Sequence, residues 1–208
     1  MKPEAPAQAR RAERHAAALI DAVLHCLDQG RADDVDSALD RVLSATAAAH
    51  GQLPGSAALV AAAVAHRQRI DPAAHAALMQ RLRTAALDAL VFFQPFCPRL
   101  VGAIADGYAR AESPLDIQVF SDDHEALLMQ LDQHAIRWRS SGPLRRTPRG
   151  RCAPLQRLDF EAGGRRVQLA LFSYQALRAA TVPKGCARAN AALLASWLGG
   201  DQRRSIAT

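Results

Sequence analysis

The spacing of apolar residues changes about midway along the chain, and this change limits the folds open to it. In the first half, Ile20, Val23, Leu24 and Leu27 fall at i, i+3, i+4 and i+7, which is one stripe of an α-helix. In the second half, the run LDIQVF alternates apolar and polar residues as a β-strand does. The sequence therefore predicts a helical region followed by a region that contains a sheet.

Four helices are predicted before the change. They cover about residues 9–28, 34–49, 56–69 and 71–93. The fourth has the strongest start signal, because Asp71 can cap it and Pro72 suits the first helical position. The prolines of the segment QPFCP, at 94–98, end it. We therefore predict a helical region over 1–95 and a second domain over 96–208.

The second domain begins with predicted strands and a helix. Leu100 and Val101 form a short apolar strand that runs into a glycine, and LDIQVF, 115–120, forms the next strand. The segment 121–136 is predicted to be a helix, with Asp122 as its N-cap and a glutamate three residues later completing a capping box.

A hairpin and a final helix follow. Gly163 and Gly164 join two alternating runs within 155–172, which is a strong hairpin signal. The segment 184–198 is predicted to be the last helix. This order of elements gives an α+β or α/β domain behind a helical one.

Composition and charge indicate the partners and the cellular location expected of this chain. The formal net charge is +6, which could attract phosphates or nucleic acid, although arginine and alanine together equally reflect a GC-rich coding sequence. Four widely spaced cysteines form no zinc motif and are expected to be reduced thiols. Without an apolar run of roughly 20 residues or a secretion signal, we expect a cytoplasmic protein with no membrane segment.

The stretch from Gly102 to Phe120 carries the most chemistry. Glycines at 102 and 107 permit close approach of the backbone, and exposed amides in such a loop could hold phosphate oxygens. A strand that leaves the loop presents alternate residues on one face. Two carboxylates two positions apart on that strand could coordinate the same divalent ions. Such ions stabilise the attacking and the leaving oxygen of an in-line displacement at phosphorus.

This stretch resembles the nucleotidyltransferase superfamily that includes DNA polymerase beta, and especially its minimal bacterial branch. That branch has a pattern close to G-S-x-A-R-G-x-A followed shortly by S-D-I-D-L. The matching residues are Gly102, Ala105, Gly107, Ala109, Ser113 and Asp116. Certain proteobacterial proteins with similar leading helices look like the nearest relatives, and the resemblance assigns them no substrate.

The resemblance implies a fold and a set of site residues. The fold would be α+β, with a mixed sheet flanked by helices. Nucleotide phosphates would lie near Gly102, Ala103, Gly107 and Ser113, and Asp116 would be the catalytic and metal-binding residue. Mg²⁺ is the cofactor that the resemblance implies.

Three positions depart from the family pattern. Ala103 replaces the serine that touches phosphates, and Pro114 replaces the first metal carboxylate. Gln168 lies near the place of the third carboxylate and is uncharged. One carboxylate is a poor cage for two Mg²⁺ ions, so we predict a degenerate protein that binds a nucleotide, another phosphate-bearing ligand or a protein partner. The alternative is an active Mg²⁺-dependent transferase, acting on a protein, RNA or small molecule, that recruits Asp106, Glu112 or Asp159.

A third hypothesis depends on a basic segment, 137–151. It contains six arginines and no acid, and Arg145 and Arg146 are candidates for phosphate binding. Trp138 could stack on a base, so the segment could bind RNA or another nucleic acid, or it could be a solvated loop with Trp138 inward on a strand. The N-terminal helices could likewise form an internal core, a homodimer contact or a surface for a protein partner.

Overall fold

The computed structural model describes residues 5–46, 53–141 and 152–205, and its contacts divide the chain after Pro72. The first unit is Met1–Pro72 and the second unit is Ala73–Thr208. Each unit has its own buried core. Within the described ranges, no helix combines the length and the apolar character that crossing a bilayer requires.

The described residues of the first unit form three helices. They are α1 (Ala5–Asp28), α2 (Val35–Thr46) and α3 (Ser56–Ile70). The predicted stripe of α1 is largely confirmed, because Val23, Leu24 and Leu27 are buried. Asp28 at the end of α1 accepts a hydrogen bond from Nε2 of His66 at 2.9 Å and pairs with Arg67 at 2.8 Å, which ties α1 to α3.

The second unit contains the remaining helices and the sheet. Its helices are α4 (Pro72–Phe92), α5 (Gly102–Asp106), α6 (His124–Gln133) and α7 (Ala191–Ser205), with 3₁₀ turns at Gln94–Phe96 and Tyr174–Arg178. Its strands are β1 (Arg99–Val101), β2 (Leu115–Phe120), β3 (Trp138–Ser140), β4 (Gln156–Ala162) and β5 (Arg165–Phe172).

The five strands found among the described residues form one mixed sheet in the order β1-β2-β5-β4-β3. Strands β2 and β5 run parallel, and the other three neighbouring pairs are antiparallel. Gly163 and Gly164 turn the chain between β4 and β5 with φ of 58° and 72°, as the hairpin signal predicted. The predicted α+β class, with leading helices and a mixed sheet flanked by helices, is therefore confirmed.

The two faces of the sheet differ in chemistry because side chains alternate along each strand. On one face, Ile117, Leu169 and Leu158 lie side by side across β2, β5 and β4, and each is at most 1% exposed. Helix α4 contributes to this core, since the rings of Phe93, at its end, and Phe160 lie 6.3 Å apart. The opposite face carries Asp116, Gln118, Asp159 and Gln168, and is called the polar face below.

Helix α4 therefore lies in the second unit, whereas the sequence placed it in the helical region 1–95. It buries Met79, Leu82, Ala86 and Leu90. The backbone carbonyl of Phe92 accepts a hydrogen bond from Gln130 of α6 at 2.6 Å. The two boundaries differ by the length of this helix, because a proline pair ends a helix without revealing which neighbours the helix contacts.

Two helix starts differ from the sequence-based expectation. The N-cap of α6 is Asp123, whose carboxylate accepts from the amide of Ala126 at 2.9 Å, while Asp122 accepts from the amide of Tyr174. The last helix begins at Ala191 and not at 184, because Ala189 is held in an extended bridge with Leu100 of β1.

Candidate functional site

The loop between β1 and β2 is shaped by glycines at 102 and 107. It contains the five-residue helix α5, where the sequence predicted only a loop. Gly102 has φ of +70°, and Gly107 ends the helix with φ of +92°. The amide of Gly107 donates to the carbonyl of Ala103 at 2.9 Å. Both glycines thus adopt a backbone conformation that other residues rarely adopt.

Asp116 lies directly against Gly102. A Cβ atom placed on Gly102 would be 3.1 Å from Cγ and 3.2 Å from Cβ of Asp116, and closer still to its Oδ2. The register explains the contact, because Asp116 pairs with Val101, the last residue of β1. The structure therefore brings together two of the predicted site residues, the loop glycine and the strand carboxylate.

On the side of Asp116 away from β1, the neighbouring residue is Gln168 of β5. The two residues are register partners in the parallel pair of β2 and β5, so their side chains project from the same face. From the resemblance alone, Gln168 is expected near the place of the family's third carboxylate. Pro114 is buried just before β2 begins. The three candidate positions for metal ligands thus hold one carboxylate, one amide and one proline ring.

This set of donors does not suit a pair of Mg²⁺ ions. A hard divalent cation needs several oxygen ligands, usually including carboxylates, and Asp116 supplies the only charge of the three. In the part of the chain that the structure describes, no three His, Cys, Asp or Glu side chains are grouped as a metal site.

The other acids that an active transferase could recruit lie on other elements than Asp116, which is on β2. Asp106 accepts a hydrogen bond from the amide of Ala187 at 2.5 Å, and Glu112 is exposed. Asp159 pairs with Gln168 from the far side, so it is two strands from Asp116, about 10 Å between Cα atoms at the usual strand spacing.

The remaining predicted phosphate ligands have structural partners. Ala103 is buried in α5. The carbonyl of Gly107 accepts from Nε2 of His75 at 2.9 Å. The hydroxyl of Ser113 accepts from the amide of Arg110 at 2.9 Å, and the amide of Ser113 donates back to the carbonyl of Arg110. Ser113 therefore closes a turn before β2.

The basic segment is described only at its start. Arg145 and Arg146 lie outside the described residues. Trp138 is half-buried on β3, and its indole nitrogen donates to Asp132 at 3.3 Å. Arg139 on the same strand is exposed and pairs in register with Asp159.

The polar face also contains residues that sequence reasoning missed. Gln118 is 5% exposed, and its Oε1 accepts a hydrogen bond from the hydroxyl of Thr181 at 2.7 Å. Arg99 is the register partner of Gln118 on β1. Arg188 lies over the ring of Phe120, 4.8 Å from its centroid. The contacts of Gln118 with Thr181 and of Arg188 with Phe120 join residues 63 or more positions apart, and no local sequence pattern marks them.

Comparisons with known proteins add nothing to this geometry, because no family model, curated protein or solved structure matches the chain. Its function must therefore be inferred from the residues on the polar face. They include a carboxylate beside a glycine of positive φ, two amides, and two arginines at the edge where β1 lies.

Proposed function

We propose that this chain is a nucleotidyltransferase-like protein of the bacterial cytoplasm that binds a nucleotide or another phosphate-bearing ligand without transferring a nucleotide. The observation that carries the proposal is the position of Asp116, which contacts Gly102 and stands in register with Gln168. The resemblance assigns phosphate binding to the glycine loop and metal binding to carboxylates on the strands. The loop glycine and one carboxylate are present, and an amide stands in the third place.

The absence of nucleotidyl transfer follows from charge. Two divalent ions bring four positive charges, and the stabilisation of an attacking and a leaving oxygen depends on holding both ions. Asp116 contributes one negative charge, while Gln168 and Pro114 contribute none. Binding is less demanding, because phosphate oxygens can be held by arginines and backbone amides alone.

The accessibility and charge of the polar face support ligand binding. Asp116, Gln168 and Asp159 are each partly exposed in a row across three strands, whereas the opposite face of the same strands is closed by the core. The net charge of +6 favours an anionic ligand over a cationic one.

Isothermal titration calorimetry with ATP, CTP, GTP and UTP, each with and without Mg²⁺, tests this function. We expect at least one nucleotide to bind, with about the same affinity in both conditions, because the protein adds too few ligands to hold the metal. The variant Asp116→Ala should still bind. Failure of all four nucleotides, in both conditions, would reject the proposal.

A further inference from the structure

Two arginines from distant parts of the chain lie at the same corner of the polar face. The segment around Ala189 pairs with the outer edge of β1, through hydrogen bonds of 2.8 and 2.9 Å between Leu100 and Ala189. Both bridged residues are buried. Because side chains alternate in extended backbone, Arg99 and Arg188, the residues before them, project towards the polar face.

The partners of both guanidinium groups are neutral. Arg99 donates to the carbonyls of Cys97 and Pro98, at 3.2 and 2.8 Å, and both bonds come from Nη1. Arg188 donates to the carbonyls of Leu177 and Ala179, at 2.6 and 3.3 Å, through its two Nη atoms.

Neither arginine is neutralised by the residues that the structure describes. No carboxylate from those residues lies within ion-pair distance of either guanidinium, and Nε of Arg188 is buried without a hydrogen-bond acceptor. Burial lowers the pKa of Arg188, and the positive charge of Arg99 lowers that pKa further. A bound anion would favour the charged form of Arg188 and would therefore raise its pKa against both effects.

We propose that Arg99 and Arg188 bind a phosphoryl group of the ligand, an inference that rests on the proposed function. The hydrogen bonds of Arg99 leave Nε and Nη2 available, and this edge of a guanidinium matches two oxygens of a phosphate. Arg188 adds a second positive charge, held in place by two carbonyls and by the ring of Phe120.

The test is calorimetric titration of the full chain with pyrophosphate at low salt. We expect Arg99→Gln to weaken binding by about tenfold or more, since a charge-assisted bidentate contact is lost. Arg99→Lys should also weaken it, because lysine keeps the charge without the planar fork. The matched control is Arg81→Gln, which removes the same charge from an exposed position on α4 and should leave the affinity unchanged.

A second arginine variant addresses the other half of the site. Arg188→Lys is expected to weaken pyrophosphate binding as well, and circular dichroism establishes whether it folds. If it does not fold, the two Arg99 variants decide the question alone, because Arg99 projects from the edge strand and makes its described hydrogen bonds only to nearby backbone.

Three outcomes would overturn the inference. Equal affinity of wild type and Arg99→Gln for pyrophosphate would place the anion elsewhere and leave the proposed function standing. Equally tight binding of citrate would show that the site does not select phosphoryl groups. Absence of pyrophosphate binding would remove the site, and the nucleotide titrations would then decide separately whether the proposed function also fails.

Discussion

Replacing Gly102 by alanine is expected to destabilise the second unit by about 2–5 kcal/mol. The backbone at Gly102 has φ of +70°, which costs a residue with a Cβ atom about 1–2 kcal/mol. The new methyl group would also overlap Asp116, and overpacking of this kind costs about 1–3 kcal/mol more. Urea denaturation of both proteins measures the difference in unfolding free energy.

Gly164→Ala provides the matched control. Gly164 has nearly the same φ, +72°, but no atom lies within 4 Å of the position that its Cβ would occupy. Its replacement should cost only the backbone part, about 1–2 kcal/mol. In an Asp116→Ala background, the cost of Gly102→Ala should fall towards that of Gly164→Ala. Equal costs for the two glycines in the wild-type background would show that Asp116 does not restrict Gly102.

The fragment 73–208 is expected to fold cooperatively, and the fragment 96–208 is not. The shorter fragment lacks α4, and with it Leu82, Leu90 and Phe93, all at most 2% exposed. Each such side chain contributes roughly 1.5–3 kcal/mol on burial. The sum is comparable to the entire stability of a typical domain, about 5–15 kcal/mol.

Circular dichroism and amide chemical-shift dispersion distinguish the two fragments. The longer one should give a single thermal transition and well-dispersed amide signals. The shorter one should aggregate or show the narrow dispersion of an unfolded chain, because the apolar face of its sheet is uncovered. A folded 96–208 fragment as stable as 73–208 would contradict the assignment of α4 to the second unit.

The elements predicted well from sequence are those whose signals are local. The run 115–120 alternates over its whole length and forms β2 with the predicted bounds. The paired glycines at 163 and 164 give the hairpin, because positive φ at both positions is needed there and glycine permits it. In both cases the pattern and the structure depend on the same few residues.

The elements predicted poorly are those decided by distant neighbours. The start of α7 depends on the bridge between Leu100 and Ala189, which holds the preceding residues extended. Val91, an apolar residue of α4, is 62% exposed, because the helix turns Leu90 and Phe93 to the core instead. The periodicity of apolar residues predicts which side of a helix is buried, but the neighbouring elements determine which residues at the border of that side are covered.

In the candidate site too, residues with a local sequence signal could be predicted and residues brought together by distant contacts could not. The pattern at 102–120 suggested that Gly102 and Asp116 belong to one site, and strand register places them in contact. Gln168, which the resemblance places near the third carboxylate position, is the register partner of Asp116. Arg99 and Arg188 could not be foreseen, because an isolated bridge to the edge of β1 brings them to one corner.

Transfer of label from α-³²P-labelled ATP, CTP, GTP and UTP tests most directly whether Asp116 supports nucleotidyl transfer. The reactions contain Mg²⁺ or Mn²⁺, and boiled bacterial extracts supply protein, RNA and small-molecule acceptors. With one carboxylate among the three candidate metal positions, wild type and Asp116→Ala should both transfer no more label than the protein-free blank. Metal-dependent transfer by the wild type that Asp116→Ala abolishes would contradict a degenerate site.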